Sequence, residues 1–287
     1  MKYSQALKIY ILLMVLSLIF YPFVASSYGI LPAVGAALLG VMISMHIFLI
    51  IGLWRKNHTF VDTAWGLSFI IVAHVTFWMQ PTHTAVQWIV LAMVTLWGLR
   101  LFTHIMLRTV GAKEDPRYQQ MREKMEAGKH ALLTTYLRIY VAQGFLAWII
   151  AAPVVFINTR GQEGVTPFYE IGIAIWLIGF AFEVVGDKQL KTFLAVKQNQ
   201  GQIMTGGLWK YSRHPNYFGE ASLWWGIFII ALGFQGGWIF FFGPLLITFL
   251  LLFISGVPLA ESLIRGLPGF ENYKRSTSMF IPWFPRK

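Results

Sequence analysis

The stretch GGLWKYSRHPNYFGE, residues 206–220, joins a polar turn to a long apolar run. Two glycines open the turn, and Trp209, Tyr211, Arg213 and His214 follow. Pro215 suits the first turn of a helix, because its missing N–H has no partner to lose there. A helix starting at Pro215 puts an open row of backbone amides beside Lys210, Arg213 and His214. Helix N-termini attract anions, and flanking cations add to that attraction. Asn216 and Glu220 then stand one turn apart on one face. Glu220 lies inside apolar sequence, where a carboxylate needs a partner or a task.

Working outward, the 287 residues are 56% hydrophobic and only 12% charged. That composition excludes an ordinary soluble domain and predicts an all-α, polytopic membrane helix bundle. Apolar runs predict about eight spans, near 6–26, 30–53, 61–79, 84–107, 132–156, 168–186, 216–235 and 237–258. The first run is too long for a signal peptide and reads as a retained helix. The organisation expected is N-terminal transmembrane helices over 1–60 and a catalytic membrane domain over 61–287.

The net charge of +11 comes from cations in alternate loops between apolar runs. This is a topology signal and not a nucleic-acid signature: it places both termini in the cytoplasm. The absence of cysteine removes disulfides, thiol nucleophiles and cysteine metal sites, and no metal site is assigned.

With that orientation, Asp62, the stripe Arg100–His104–Arg108, the stripe Glu183–Asp187–Lys191, Glu220 and Glu261 all fall in the cytoplasmic leaflet. Ionisable groups in spans usually face a bundle interior or a wet cavity. The expectation is one polar cavity open to the cytoplasm beneath an apolar upper half. Structural readings stand beside it. Asp62 is also placed to cap its helix, or to pair with Arg100. Arg108, Lys188 and Lys210 also suit interfacial anchors. His46 and His74 read as satisfied core histidines, Trp224 and Trp225 as packing, and 113–129 as an amphipathic surface helix.

The run GLWKYSRHPNYFGE resembles the C-terminal signature of the steroid 5α-reductase-like membrane superfamily, which is also similar to the sterol reductases. Asp62–Gly66, Glu183–Leu190 and residues 206–226 resemble a bacterial branch of that superfamily. The ending PGFENYKRSTSMFIPWFP fits the same pattern. The resemblance implies a reductase that transfers hydride from NADPH to an activated C=C bond of a lipid-like substrate. It carries cofactor contacts onto Asp187, Lys191, Arg213, His214, Asn216 and Tyr217, with Lys197 and Arg108 as further cations. Asp62, Tyr211 and Glu220 are the catalytic candidates. It also implies a hydrophobic substrate, membrane-lipid surroundings and a bacterial inner-membrane location.

Departures from the pattern are specific. The acid-after-Gln of the steroid enzymes has only Asp62–Thr63 as counterpart, and Trp97 stands where a Tyr is expected. Glu261–Ser262 replaces a C-terminal histidine. No Gly-x-Gly-x-x-Gly is present, so a dinucleotide would be held by helices and not by a Rossmann fold. An alternative is an S-adenosylmethionine-dependent membrane methyltransferase of the isoprenylcysteine or phospholipid type, which shares the Arg-His-Pro-x-Tyr-x-Gly motif and a late Glu. A transport protein is disfavoured because no pair of interrupted helices is apparent.

Overall fold

A computed structural model describes residues 18–126, 131–160 and 166–286, together with Leu12 and Val15. Among the described residues the fold is all-helical, with one isolated bridge, Ser212 to Ser278. The helices are α1 Leu18–Ser27, α2 Leu31–Arg55, α3 Phe60–Trp78, α4 Ala85–Thr109, α5 Pro116–Glu126 and α6 Leu132–Ile150. After them come α7 Ala152–Asn158, α8 Thr166–Ala195, α9 Pro215–Leu232, α10 Phe242–Phe253, α11 Val257–Ile264 and α12 Phe270–Ser276.

Among the described residues, six helical runs are long and apolar enough to cross a membrane: α2, α3, α4, α6, most of α8, and the broken run Gly237–Ile264. The expected first span, 6–26, lies largely outside the described residues, which show only the short apolar α1. The expected seventh is helix α9. Its first two turns hold Asn216 and Glu220, and those polar groups pull its composition below that of a simple span. The eight-span count is therefore six on length and composition, with α9 as a helix of mixed character.

The described residues form two compact units, one within Leu16–Gly164 and the other within Val165–Lys287 together with Leu12 and Val15. In the first, α3 and α4 meet backbone to backbone. A Cβ added to Gly66 would stand 2.6 Å from the Gly98 carbonyl oxygen, and one on Gly98 would stand 2.8 Å from that of Gly66. Phe69, Phe77, Trp97 and Phe156 fill its core. The Gln87 side-chain amide donates to the carbonyls of Ile157, Asn158 and Arg160, at 3.0, 2.9 and 2.6 Å. Those carbonyls lie at and just past the end of α7, where the helix itself leaves acceptors short of donors; Ile157 also accepts from the Arg160 N–H at 3.1 Å.

Helix α6 contains a π-helical turn, Tyr136–Val141. Its wider turn takes one more residue than an α turn. Three polar side chains follow at this point of α6. Tyr136 bonds His46 at 2.8 Å, Tyr140 bonds His58 at 2.7 Å, and Gln143 donates to Tyr118 at 3.2 Å. His74 in turn meets Thr95 at 3.0 Å. His46 and His74 are thus hydrogen-bonded as expected, but His46 is exposed and His74 half-buried, so neither is a core histidine.

In the second unit α8 and α9 are interlocked through glycines spaced seven apart: Gly172, Gly179 and Gly186 on α8, Gly219 and Gly226 on α9. A Cβ on Gly172 would lie 2.6 Å from the Gly226 oxygen, and one on Gly179 would lie 2.7 Å from the Gly219 oxygen. Lipid tails are as apolar as leucine, so helices inside a membrane associate by such close packing and not by hydrophobic exclusion.

A contrast between glycines tests this. Gly179→Ala should destabilise the protein by about 1–3 kcal/mol, because the methyl meets backbone that must move. Gly35→Ala has nothing within 4 Å of the new methyl. It should leave stability unchanged or raise it by about 0.5–1 kcal/mol. Thermal unfolding of the detergent-solubilised protein followed by size-exclusion fluorescence reads both.

Candidate functional site

The 206–220 turn is clasped between α8 and the C-terminal segment. Gly207 has φ +57°, a backbone that glycine adopts without strain. A Cβ there would also collide with the Gln189 amide, 2.4 Å away. The Leu208 N–H donates to Gln189 Oε1 at 3.0 Å, and the Trp209 indole donates to the Gly186 carbonyl at 3.1 Å. From the other side the Tyr273 hydroxyl donates to the Trp209 carbonyl at 2.6 Å. Ser212 Oγ donates to the Phe280 carbonyl at 2.7 Å, and the Arg213 N–H donates to the Ser278 carbonyl at 2.8 Å.

The Arg213 side chain is buried. Its guanidinium donates to Glu261 at 2.9 Å from Nε and pairs with it at 2.7 Å from the terminal nitrogen. The carbonyls of Lys274 and Thr277 accept from it at 3.1 and 2.8 Å. Arg213 thus ties the start of α9 to α11 and to the end of α12. Removing one partner of such a buried pair costs more than the pair itself contributes.

His214 is also buried. Its backbone N–H donates to Ser212 Oγ at 3.1 Å, and its ring stacks on Tyr217 at 5.4 Å and 11°. Nε2 lies 3.5 Å from Glu261 Oε1, within ion-pair range, yet forms no aligned hydrogen bond. Burial lowers the His214 pKa below its ordinary 6.5, against the opposing pull of Glu261. We therefore read a neutral imidazole in contact with Glu261, with Nε2 unmet.

Asn216 Nδ2 donates to Asp187 Oδ1 at 3.0 Å. The carboxylate can only accept, so the amide nitrogen must face it and the amide oxygen must point away. That oxygen is buried and receives no hydrogen bond among the described residues. The two helices bring Asn216 and Asp187 together because Gly186 has no side chain: a Cβ there would stand 3.2 Å from the Asn216 nitrogen.

Asp187, Arg213, His214, Asn216 and Tyr217 therefore form one group. Glu220 is half-buried one turn further along α9. Lys191, one turn beyond Asp187, and Lys197, past the end of α8, are both exposed. Tyr211 is exposed; its carbonyl accepts from the Trp283 N–H at 2.9 Å, and its ring meets Phe284 edge-on at 6.2 Å. Trp224 is buried packing and Trp225 donates to Thr248 at 3.0 Å, so neither stands in the group.

Asp62 and Arg108 belong to the first unit. Asp62 is not the cap of α3; that position is Thr59. The Tyr118 hydroxyl donates to Asp62, and Arg117 approaches it at 3.6 Å. Arg108, exposed at the end of α4, is within electrostatic reach of Asp62 and Asp115. Burial, together with the Asp62 charge, pushes the Tyr118 phenol well above 10, so it stays protonated. Sequence alone does not distinguish Tyr118: it is one aromatic at the start of a helix that otherwise reads as solvated. Glu114 and Asp115 strap the same segment down, accepting from His58 N at 2.9 Å and donating to Thr59 Oγ1 at 2.8 Å through the Asp115 N–H.

Residues 47–277 match the family described as "Protein of unknown function (DUF1295)". Rat 3-oxo-5-alpha-steroid 4-dehydrogenase 1 is 26% identical over 113 residues, 39% of this chain and 44% of the rat protein. The human protein of that name is 31% identical over 117 residues, covering 41% of this chain and 42% of its own length. An uncharacterized Schizosaccharomyces pombe protein is 23% identical over 206 residues, 63% of this chain and 59% of its own. The chain thus spans less than half the length of the steroid dehydrogenases it matches. No solved structure matches.

The neutral His214 carries a pH signature. An unfolded histidine titrates near 6.5, and the folded one lower, so the unfolded chain binds the proton first. The stabilising contribution is present above about pH 6.5 and is lost as pH falls through the lower folded value. Thermal scans should show the melting temperature dropping below about pH 6.5, with a shallower drop in His214→Gln. Stability rising on acidification would instead indicate an imidazolium paired with Glu261.

Proposed function

Since the chain belongs to the DUF1295 family, and its site leaves one buried amide oxygen unmet, we propose that it is a membrane reductase of lipid-like substrates that uses NADPH. The Asn216 oxygen is the observation that carries this reading. A buried acceptor without a donor is costly, and a ligand N–H or O–H would relieve it. His214 Nε2, 3.5 Å from Glu261 at the start of the same helix, also lacks an aligned hydrogen bond. Both fit a polar ligand with several hydrogen-bonding groups, and the amides at the helix start favour an anionic one.

The residues divide the work as follows. Asn216 and Asp187 hold the hydrogen-bonding end of the nucleotide, with Tyr217 beside His214. Lys191 and Lys197 are exposed cations suited to phosphates. Arg213 has its guanidinium engaged by Glu261 and two carbonyls, so its part is to hold the turn in shape. When bound, the cofactor supplies the hydride. Tyr211 and Glu220 flank the group on the turn and on α9. In its own unit, Asp62 accepts from the Tyr118 hydroxyl, which in turn accepts from Gln143, so the proton available there is the one on Tyr118.

The relatives' name supports the reaction class. A dehydrogenase that acts at the 4-position of a 3-oxo steroid interconverts a C–C and a C=C bond beside a ketone. Steroids, isoprenoids and fatty enones all offer that group on a greasy body. We place the protein in a bacterial inner membrane on the family resemblance alone, and both termini in the cytoplasm on the alternation of loop cations.

The S-adenosylmethionine reading has one observation in its favour: the late Glu261 sits directly on Arg213 and against His214. A titration separates the two. NADPH at a hundredfold over its Kd should stabilise the protein by about 2.7 kcal/mol. Asn216→Ala and Glu220→Ala should fold and lose most of that gain. Stabilisation by S-adenosylmethionine and none by NADPH would replace the reductase with the methyltransferase.

A further inference from the structure

The stretch MFIPWFPR, Met279–Arg286, is neither a helix nor a loose tail. Its backbone is pinned at four points. Ser278 bridges Ser212, the Phe280 carbonyl accepts from Ser212, Trp283 N–H donates to Tyr211, and Arg286 N–H donates to Ser276 at 2.8 Å. Phe280 packs on Phe218 in the first turn of α9. The segment is thereby held at the level where α9 begins.

What it holds outward is apolar. Ile281 is 63% exposed, Trp283 67% and Phe284 76%. A chain end fixed by this many backbone bonds, yet showing three large apolar side chains, calls for an apolar partner. Around them stands a basic rim. Lys210 lies over the Tyr211 ring, which in turn meets Phe284. Lys274, Arg275 and Arg286 are exposed. Of the nearby acids, Glu261 is taken by Arg213, and Glu271 alone is exposed among them.

We propose that Met279–Arg286 is a membrane-surface anchor, which seats Ile281, Trp283 and Phe284 in the headgroup layer of an anionic bilayer while Lys210, Lys274, Arg275 and Arg286 meet its phosphates. Trp and neighbouring aromatics favour that layer, being apolar in body and polar at the edge. Clustered Lys and Arg next to a span are drawn to anionic lipid. Segment Arg265–Gly269 leaves α12 only a few residues from the end of the last apolar run, so the strap has no distance to travel to reach the surface. The anchor is independent of which cofactor the site takes.

The chain has no cysteine, so a single introduced thiol is the only one labelled. Phe284→Cys and, as a second position, Ile281→Cys would carry a nitroxide in the full-length protein in nanodiscs. With phosphatidylglycerol present, the label should relax with oxygen and be shielded from an aqueous nickel complex, relative to a label at Glu271→Cys. Pure phosphatidylcholine, high salt, or Lys274→Glu with Arg275→Glu should return it to water. A label equally open to the nickel complex in both lipids would overturn the proposal. So would lipid contact indifferent to headgroup charge, or shielding that persists in detergent with dipolar broadening, the mark of a second copy.

Discussion

The second unit depends on two helices approaching until their backbones touch. Gly172, Gly179 and Gly186 on α8 face Gly226, Gly219 and the start of α9, and no side chain separates the carbonyls. In water such a pair would be driven together by burial of apolar surface. Among lipid tails that drive is absent, so dispersion contacts over a long, smooth seam must supply it. The consequence for chemistry is direct. The last glycine of the seam, Gly186, is where Asn216 arrives, and its carbonyl also receives the Trp209 indole. Asp187 and Asn216 are in hydrogen-bond range because the seam ends there.

A second constraint acts crosswise. Arg213 is buried with its charge, and it spends that charge on Glu261 and on two carbonyls near the end of α12. Buried ion pairs are weak evidence of stability but good evidence of a specified arrangement. Here the arrangement joins the start of α9, α11 and the segment after α12. With Tyr273 on Trp209 and Ser212 on Phe280, a turn of nine residues is held on both flanks, so the orphaned atoms of His214 and Asn216 keep fixed directions.

Much of this is legible in the sequence, and the gaps have physical reasons. Spans at 30–53, 61–79 and 84–107 fall within two residues of α2, α3 and α4, because long apolar runs leave one conformation able to satisfy the backbone in lipid. The run at 168–186 stops nine residues before α8 does. Hydropathy reports where apolar surroundings end, whereas the helix continues through Lys188 and Lys191 with its charges outside. The run at 132–156 divides at Ala151, where Pro153 starts a new helix. The 206–220 turn announces itself by composition, yet the Arg213 partners do not, because backbone carbonyls leave no residue signature. The seven-residue glycine spacing passes unnoticed until the two helices are set side by side. Tyr118 is invisible for a related reason: its partner Asp62 is 56 residues away.

The π-helical turn in α6 has a consequence for descent. Its extra residue turns Tyr136, Tyr140 and Gln143 toward His46, His58 and Tyr118 together. Removing one residue there would rotate everything beyond it by about 100° and break the later two pairings in a single event. Among relatives, that one-residue length difference should therefore be inherited as a block with the phenol of 140, the amide of 143 and the partners they grip, and a gap opened elsewhere in this helix would be an error of alignment.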